Sequence, residues 1–219
     1  ITDYQPLQIG KYITYRLDST VYTTLSTVKE VHSYIIQDLV DAEVTDNLGR
    51  PAFRIRRTMR SNDDTTKWSD NASYIVVPLD HSVELIDNNL RFIKLQEPIR
   101  EAFTWQGNNY INSYSDASLQ YLDAWDYSYE NVEQPFSIGT QSWEQTVTVS
   151  QRDEVLGTPG NKQFYWEINH SQEVFAKGIG LVYKDFLHEA WQPTNIICPG
   201  GCYESNGYGV RLTFLNTNY

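Results

Sequence analysis

Between Lys177 and Trp191 the chain passes a glycine-marked bend and then alternates. Ile179, Leu181 and Tyr183 fall on one face, and Val182, Lys184 and Phe186 on the other. A period of two marks a strand with one face turned to a core. Gly178 and Gly180 suit the bend, because a residue without Cβ takes backbone angles that others avoid. The same alternation recurs along the chain. Ile13, Tyr15 and Leu17 oppose Tyr12, Thr14 and Arg16 in a first strand over 10–19 that runs on toward Thr23. A long apolar run over 28–45 breaks its alternation near Ile35 and Ile36, which predicts a bulge there. It turns at Asp46-Asn47-Leu48-Gly49-Arg50 and returns over 53–60, which predicts a β-hairpin.

Residues 61–66 read as a polar loop, and 74–77 as a strand stopped by Pro78. The runs 83–86 and 90–95, joined by Asn88-Asn89, predict a second hairpin. An aromatic loop spans 103–110. Residues 115–125 are the best helical stretch, with Ser115 as cap and Leu119 and Leu122 on one side. Strands over 125–132, 142–151, 164–175 and 208–215 complete the set. About ten strands with short turns and no fixed repeat predict one all-β domain over residues 1–219. The expected architecture is a single antiparallel meander curled into a barrel or half-barrel, lipocalin-like, with one or two short helices.

Composition sharpens this picture. A mean hydropathy of -0.51 looks too polar for a large core. The 6 Trp, 16 Tyr and 8 Phe correct the impression, since tyrosine buries a large ring while its hydroxyl stays wet. The net charge of -11 makes nucleic acid, which needs a basic face, a poor partner and disfavours anionic lipid, so no nucleic acid is expected. No apolar run approaches the ~20 residues of a membrane helix.

Candidate chemistry is sparse. Cys198 and Cys202 enclose Pro199-Gly200-Gly201, and in an oxidising compartment they read as a disulfide closing a small loop. A metal site would need about four ligands, and a second cysteine pair is missing. His32, His81, His170 and His188 stand at no metal-ligand spacing. The acidic run Asp116, Asp123, Asp126, Glu130 and Glu133 lacks the spacing and glycine of a calcium loop. Arg50, Arg54, Arg56, Arg57 and Arg60 suggest either an anion site or cross-strand pairing with acids such as Asp38, Asp41 and Glu43. Nucleophile-elbow, phosphate-loop and dinucleotide motifs are absent, so neither a catalytic residue nor a cofactor is expected.

The aromatics carry the ligand expectation. Trp105, Tyr110, Trp125, Tyr127 and Tyr129 crowd one region. On a concave face they would stack against an apolar or glycan ligand; otherwise they are core.

Five segments together resemble uncharacterised bacterial cell-envelope lipoproteins. They are Gly-Lys-Tyr from Gly10, Asp-Asn-Leu-Gly-Arg-Pro from Asp46, Asn-Leu-Arg-Phe-Ile-Lys-Leu from Asn89, a Trp-x-Gly-Asn loop from Trp105 and Ala-Lys-Gly-Ile-Gly-Leu-Val-Tyr-Lys-Asp from Ala176. The resemblance implies export to the periplasm or outer membrane and a lipid anchor on a cysteine preceding Ile1. It implies neither an activity nor site residues. The functional expectation is a non-catalytic envelope protein that binds an apolar or glycan ligand, or an envelope protein partner. A structural or assembly component without a small ligand, and a hydrolase with an unrecognised carboxylate or histidine site, are the alternatives.

Overall fold

The computed structural model describes residues 1–23, 25–63 and 67–219. Thirteen strands form one sheet: β1 (Tyr12–Thr23), β2 (Val28–Thr45), β3 (Pro51–Ser61), β4 (Ser69–Pro78), β5 (Ser82–Asp87), β6 (Leu90–Gln96), β7 (Thr104–Gln106), β8 (Asp126–Ile138), β9 (Gln141–Leu156), β10 (Trp166–Ala176), β11 (Gly180–Gln192), β12 (Cys202–Tyr203) and β13 (Tyr208–Thr217). Each pairs antiparallel with its sequence neighbour, except that β6 and β7 end the path, and that β12 sits beside β11 and lets β13 pair with both β11 and β1. The result is an up-and-down barrel of twelve strands, nearly closed. The seam lies between β6 and β7. Among the described residues no ladder spans it, but Ile93 N donates to Gly107 O at 2.8 Å and Trp105 Nε1 donates to Ile93 O at 2.9 Å.

Local chemistry explains the hairpins. The turn after β2 is built on Asp46, whose carboxylate accepts from Leu48 N and Arg50 N, both at 2.9 Å. Asn88 and Asn89 join β5 to β6 with φ of 49° and 63°, the left-handed pair that two-residue hairpin turns require. Both hairpins match the sequence pattern.

Other expectations are corrected. Pairing of β2 is regular through Ile35 and Ile36; both are buried, so each face is covered there and alternation is lost without a bulge. The irregularity falls instead between Val40 and Ala42. The expected helix over 115–125 is a 3-10 helix, Ala117–Leu122. Its cap is Asp116, not Ser115: the Asp116 carboxylate accepts from Ser118 N at 2.8 Å. A second 3-10 turn, Thr2–Tyr4, opens the chain. The aromatic loop contains β7, whose three residues are too few to show a period. The polar loop expected over 61–66 lies partly outside the described residues.

Apolar and aromatic side chains fill most of the barrel. Its main core runs from Val40, Ile55 and Val76 across to Val147, Val149 and Phe175. The lead-in segment is docked against the sheet, with Gly178 N donating to Asp3 O at 2.7 Å and Tyr219 OH to Pro6 O at 2.7 Å. Leu7 packs against this core.

Candidate functional site

Inside the barrel, beneath the lead-in, lies a cavity of about 130 Å³. Its apolar wall comes from strands around the barrel: Ile13, Val40, Ile55, Val76, Val83, Phe175, Leu181 and Leu212, with Leu7 from the lead-in. Two groups of charged side chains interrupt that wall.

The first group is Asp38, Arg57 and Tyr74. Asp38 on β2 faces Arg57 on β3 across the ladder, and the guanidinium donates to both carboxylate oxygens at 2.6 Å. Tyr74 OH donates to Asp38 Oδ2 at 3.0 Å. Burial pushes the Tyr74 phenol well up, and the Asp38 charge adds to it. Burial works against the Arg57 charge, but Asp38 outweighs it and holds the group protonated. This pair is satisfied internally and neutral.

The second group centres on Glu173 of β10, which is 2% exposed. Lys94 Nζ lies 2.6 Å from Glu173 Oε2, and Lys184 Nζ 3.3 Å from Glu173 Oε1. Gln151 Nε2 donates to Glu173 Oε2 at 2.9 Å, and Ser171 Oγ donates to Gln151 Oε1 at 2.7 Å. Burial alone would raise the Glu173 carboxyl; the two ammonium groups outweigh it and hold the carboxyl below its ordinary value. Lys94 goes the other way. Burial, helped by Lys184, lowers it to about 8 against the pull of Glu173.

Two of the three partners of Glu173 reach it through β-bulges. The β5–β6 register pairs Val83 with Leu95 and Glu84 with Ile93, which leaves Lys94 as the extra residue. The β9–β10 register pairs Ser150 with Gln172 and Arg152 with Ser171, which leaves Gln151 extra. A bulge re-aims a side chain at the cost of ladder hydrogen bonds, and bulges are over-represented beside functional sites. A third bulge, at Val182, corrects the expected facing of β11: Leu181 and Lys184 both line the cavity, although strict alternation separates them.

The residues expected to bind ligand are spread differently. Trp105, Trp125, Tyr127 and Tyr129 belong to the core. Each has its polar atom satisfied: Trp125 Nε1 donates to Tyr121 O at 2.6 Å, Tyr127 OH to Asn108 Oδ1 at 2.9 Å and Tyr129 OH to Gln96 O at 2.9 Å. Trp105 and Tyr129 rings stand 4.5 Å apart, and Trp105 and Tyr127 rings 5.8 Å. Tyr110 is half exposed and apart from that core. Tyr127 touches the polar site, with its ring 5.7 Å from Lys94 Nζ.

Cys198 and Cys202 form a disulfide. The arginines pair with acids: Arg54 with Asp41, Arg57 with Asp38 and Arg50 with Asp46 and Glu84, while Arg56 reaches Asp70 on β4. Asp123 accepts from Ser113 Oγ and Tyr114 OH, and no cluster of three metal donors occurs among the described residues. His188 is buried, with Nδ1 bonded to Asn169 Oδ1 at 2.7 Å and its ring stacked on Tyr121 at 4.0 Å. Burial lowers its pKa.

No family model matches the chain, and no curated protein matches it. Among solved structures, it is similar to a Bacteroides fragilis protein described as having a YmcC-like fold and inferred to be exported. Identity is 11%, over 96% of this chain and 98% of that one, with a TM-score of 0.34, a likeness too slight to bear on function.

Proposed function

We propose that this protein is a non-catalytic, exported envelope protein whose barrel interior holds a small, mainly apolar ligand. The observation that carries the reading is the cavity: an apolar chamber with a bulge-built polar group in its wall. Sites for small molecules have this composition, apolar walls with a few placed polar groups. The disulfide supports export, since such bonds persist in oxidising compartments. Attachment through a lipidated cysteine ahead of Ile1 rests on the sequence resemblance. Catalysis is disfavoured because Asp38 and Glu173, the two buried carboxylates of the wall, are held by Arg57 and by Lys94 and Lys184.

A second reading, docking to an envelope partner, has one observation of its own. The turn after β1 and the disulfide loop meet at one rim, with Tyr203 N donating to Ser26 O at 2.7 Å. Leu25, Ile196 and Ile197 are more than nine-tenths exposed on these two segments.

Native mass spectrometry of the intact gene product, purified gently from its source, tests the reading. A small mass lost on denaturation is expected for the ligand, and a lipid mass that survives denaturation for the anchor. A bare polypeptide before and after denaturation contradicts both.

A further inference from the structure

Lys94 is an amine that the barrel withdraws from water. Its side chain keeps 11% of its surface and lines the cavity, with Nζ 2.6 Å from Glu173 Oε2 and 5.7 Å from the centre of the Tyr127 ring. Lys184 Nζ reaches the other oxygen of the same carboxylate at 3.3 Å, and Asp87 of β5 adds a weaker attraction. A lysine becomes an effective nucleophile when it is desolvated in an apolar pocket or stands beside a second cation, and Lys94 meets both conditions. Its pKa of about 8, against 10.5 in water, leaves more free amine at neutral pH. Glu173 does not depend on Lys94 alone, since Lys184 and Gln151 still hold the carboxylate when Lys94 gives up a proton. Charge decides what can react there. Around the cavity Arg57, Lys94 and Lys184 balance Asp38, Asp87 and Glu173. A charged ligand would break that balance in a low-dielectric interior, which is costly. A neutral carbonyl compound keeps it, because a protonated imine carries the same single positive charge as the ammonium it replaces.

We propose that Lys94 captures a neutral short-chain aldehyde as a protonated imine, with Glu173 as its counter-ion and the carbon chain in the apolar part of the cavity. This rests on the reading of the barrel as a ligand chamber and names the ligand's class. Lys94 Nζ passes one proton to Glu173 Oε2, and its lone pair attacks the carbonyl carbon. The carbonyl π pair moves to oxygen, which takes a proton from the nitrogen and gives a carbinolamine. Glu173 returns its proton to the hydroxyl, which leaves as water while the C=N bond forms. One ammonium and one aldehyde give one iminium and one water, and nothing is oxidised or reduced. Size sets the chain. A cavity of about 130 Å³ is a little smaller than the ~150 Å³ that accommodates benzene in an engineered protein core, so a chain of about four carbons fits with its carbonyl oxygen. The bulge that makes Lys94 the extra residue of β6 serves this role by re-aiming its side chain.

Reductive trapping of the full chain with butanal and cyanoborohydride at neutral pH, followed by peptide mapping, tests the proposal. Lys94 is expected to gain a butyl group at least about tenfold faster than the exposed Lys67 and Lys162. 1-Butanol has the same chain and no carbonyl; it is expected to bind, as read by saturation-transfer NMR, and to slow the labelling of Lys94 alone. Lys94→Met is expected to lose the fast label and keep the slow ones. Glu173 retains Lys184 and Gln151 in that variant, and a cooperative melt checks its fold. If Lys94→Met does not fold, the wild-type map alone decides, because it identifies the lysine that reacts. Bound butanol with Lys94 labelled no faster than Lys67 overturns the aldehyde proposal and leaves the chamber. Unbound butanol together with no preference for Lys94 overturns both.

Discussion

Glu173 shows how one residue organises the interior. A carboxylate in an apolar barrel is unfavourable alone, and here it takes charge or hydrogen bonds from three strands, β6, β9 and β11. Lys94 bears the strain of that arrangement. Its ammonium faces Glu173, Lys184, Asp87 and the rings of Phe92 and Tyr127, and the balance lowers its pKa to about 8 from 10.5. A lysine with a lowered folded-state pKa binds fewer protons folded than unfolded between those values. Stability therefore rises with pH across that window, by at most about 1.4 kcal/mol per pH unit for one group. Urea unfolding of wild type and Lys94→Met at several pH values checks this. The wild type is expected to gain on the variant as pH rises from about 8 to about 10.5. Parallel pH profiles would show that Lys94 titrates as it does in water.

At the scale of elements, the barrel depends on turns and on one close approach. Gly107 contributes its carbonyl to the β6–β7 seam, and a Cβ there would overlap the Tyr127 ring. Gly107→Ala is expected to cost about 1–3 kcal/mol as an overpacking change. Hydrogen exchange should show the loss concentrated at Ile93 and the seam; a fully stable variant with a protected Ile93 amide would contradict this. The elements also show what the sequence could reveal. The Asp46–Arg50 and Asn88–Asn89 turns were legible because their residues suit one backbone geometry. The long strands were legible by period. The bulges at Lys94, Gln151 and Val182 were not, since one inserted residue changes which face later side chains occupy without any turn residue to announce it. Lys94, Gln151, Glu173 and Lys184 are scattered over ninety positions and meet through register alone. The aromatic cluster around Trp105 and Tyr129 was visible in composition, but composition does not separate a stacking surface from a core.

For the whole molecule, twelve strands enclose more space than regular side chains fill, and the lead-in, the long aromatics and the polar groups occupy most of it. What remains lies where the apolar wall meets the charged groups of Asp38 and Arg57 and of Glu173, Lys94 and Lys184. The net charge of -11 is therefore carried outside the cavity, whose charged lining residues balance, and it favours solubility. If the barrel interior is a binding chamber, an apolar molecule of fitting size enters it. Anomalous diffraction from crystals soaked in bromobenzene measures that directly. A bromine peak among Ile55, Val76 and Leu212 is the expected result; bromine confined to the outer surface, with the interior closed over by side chains, would contradict it.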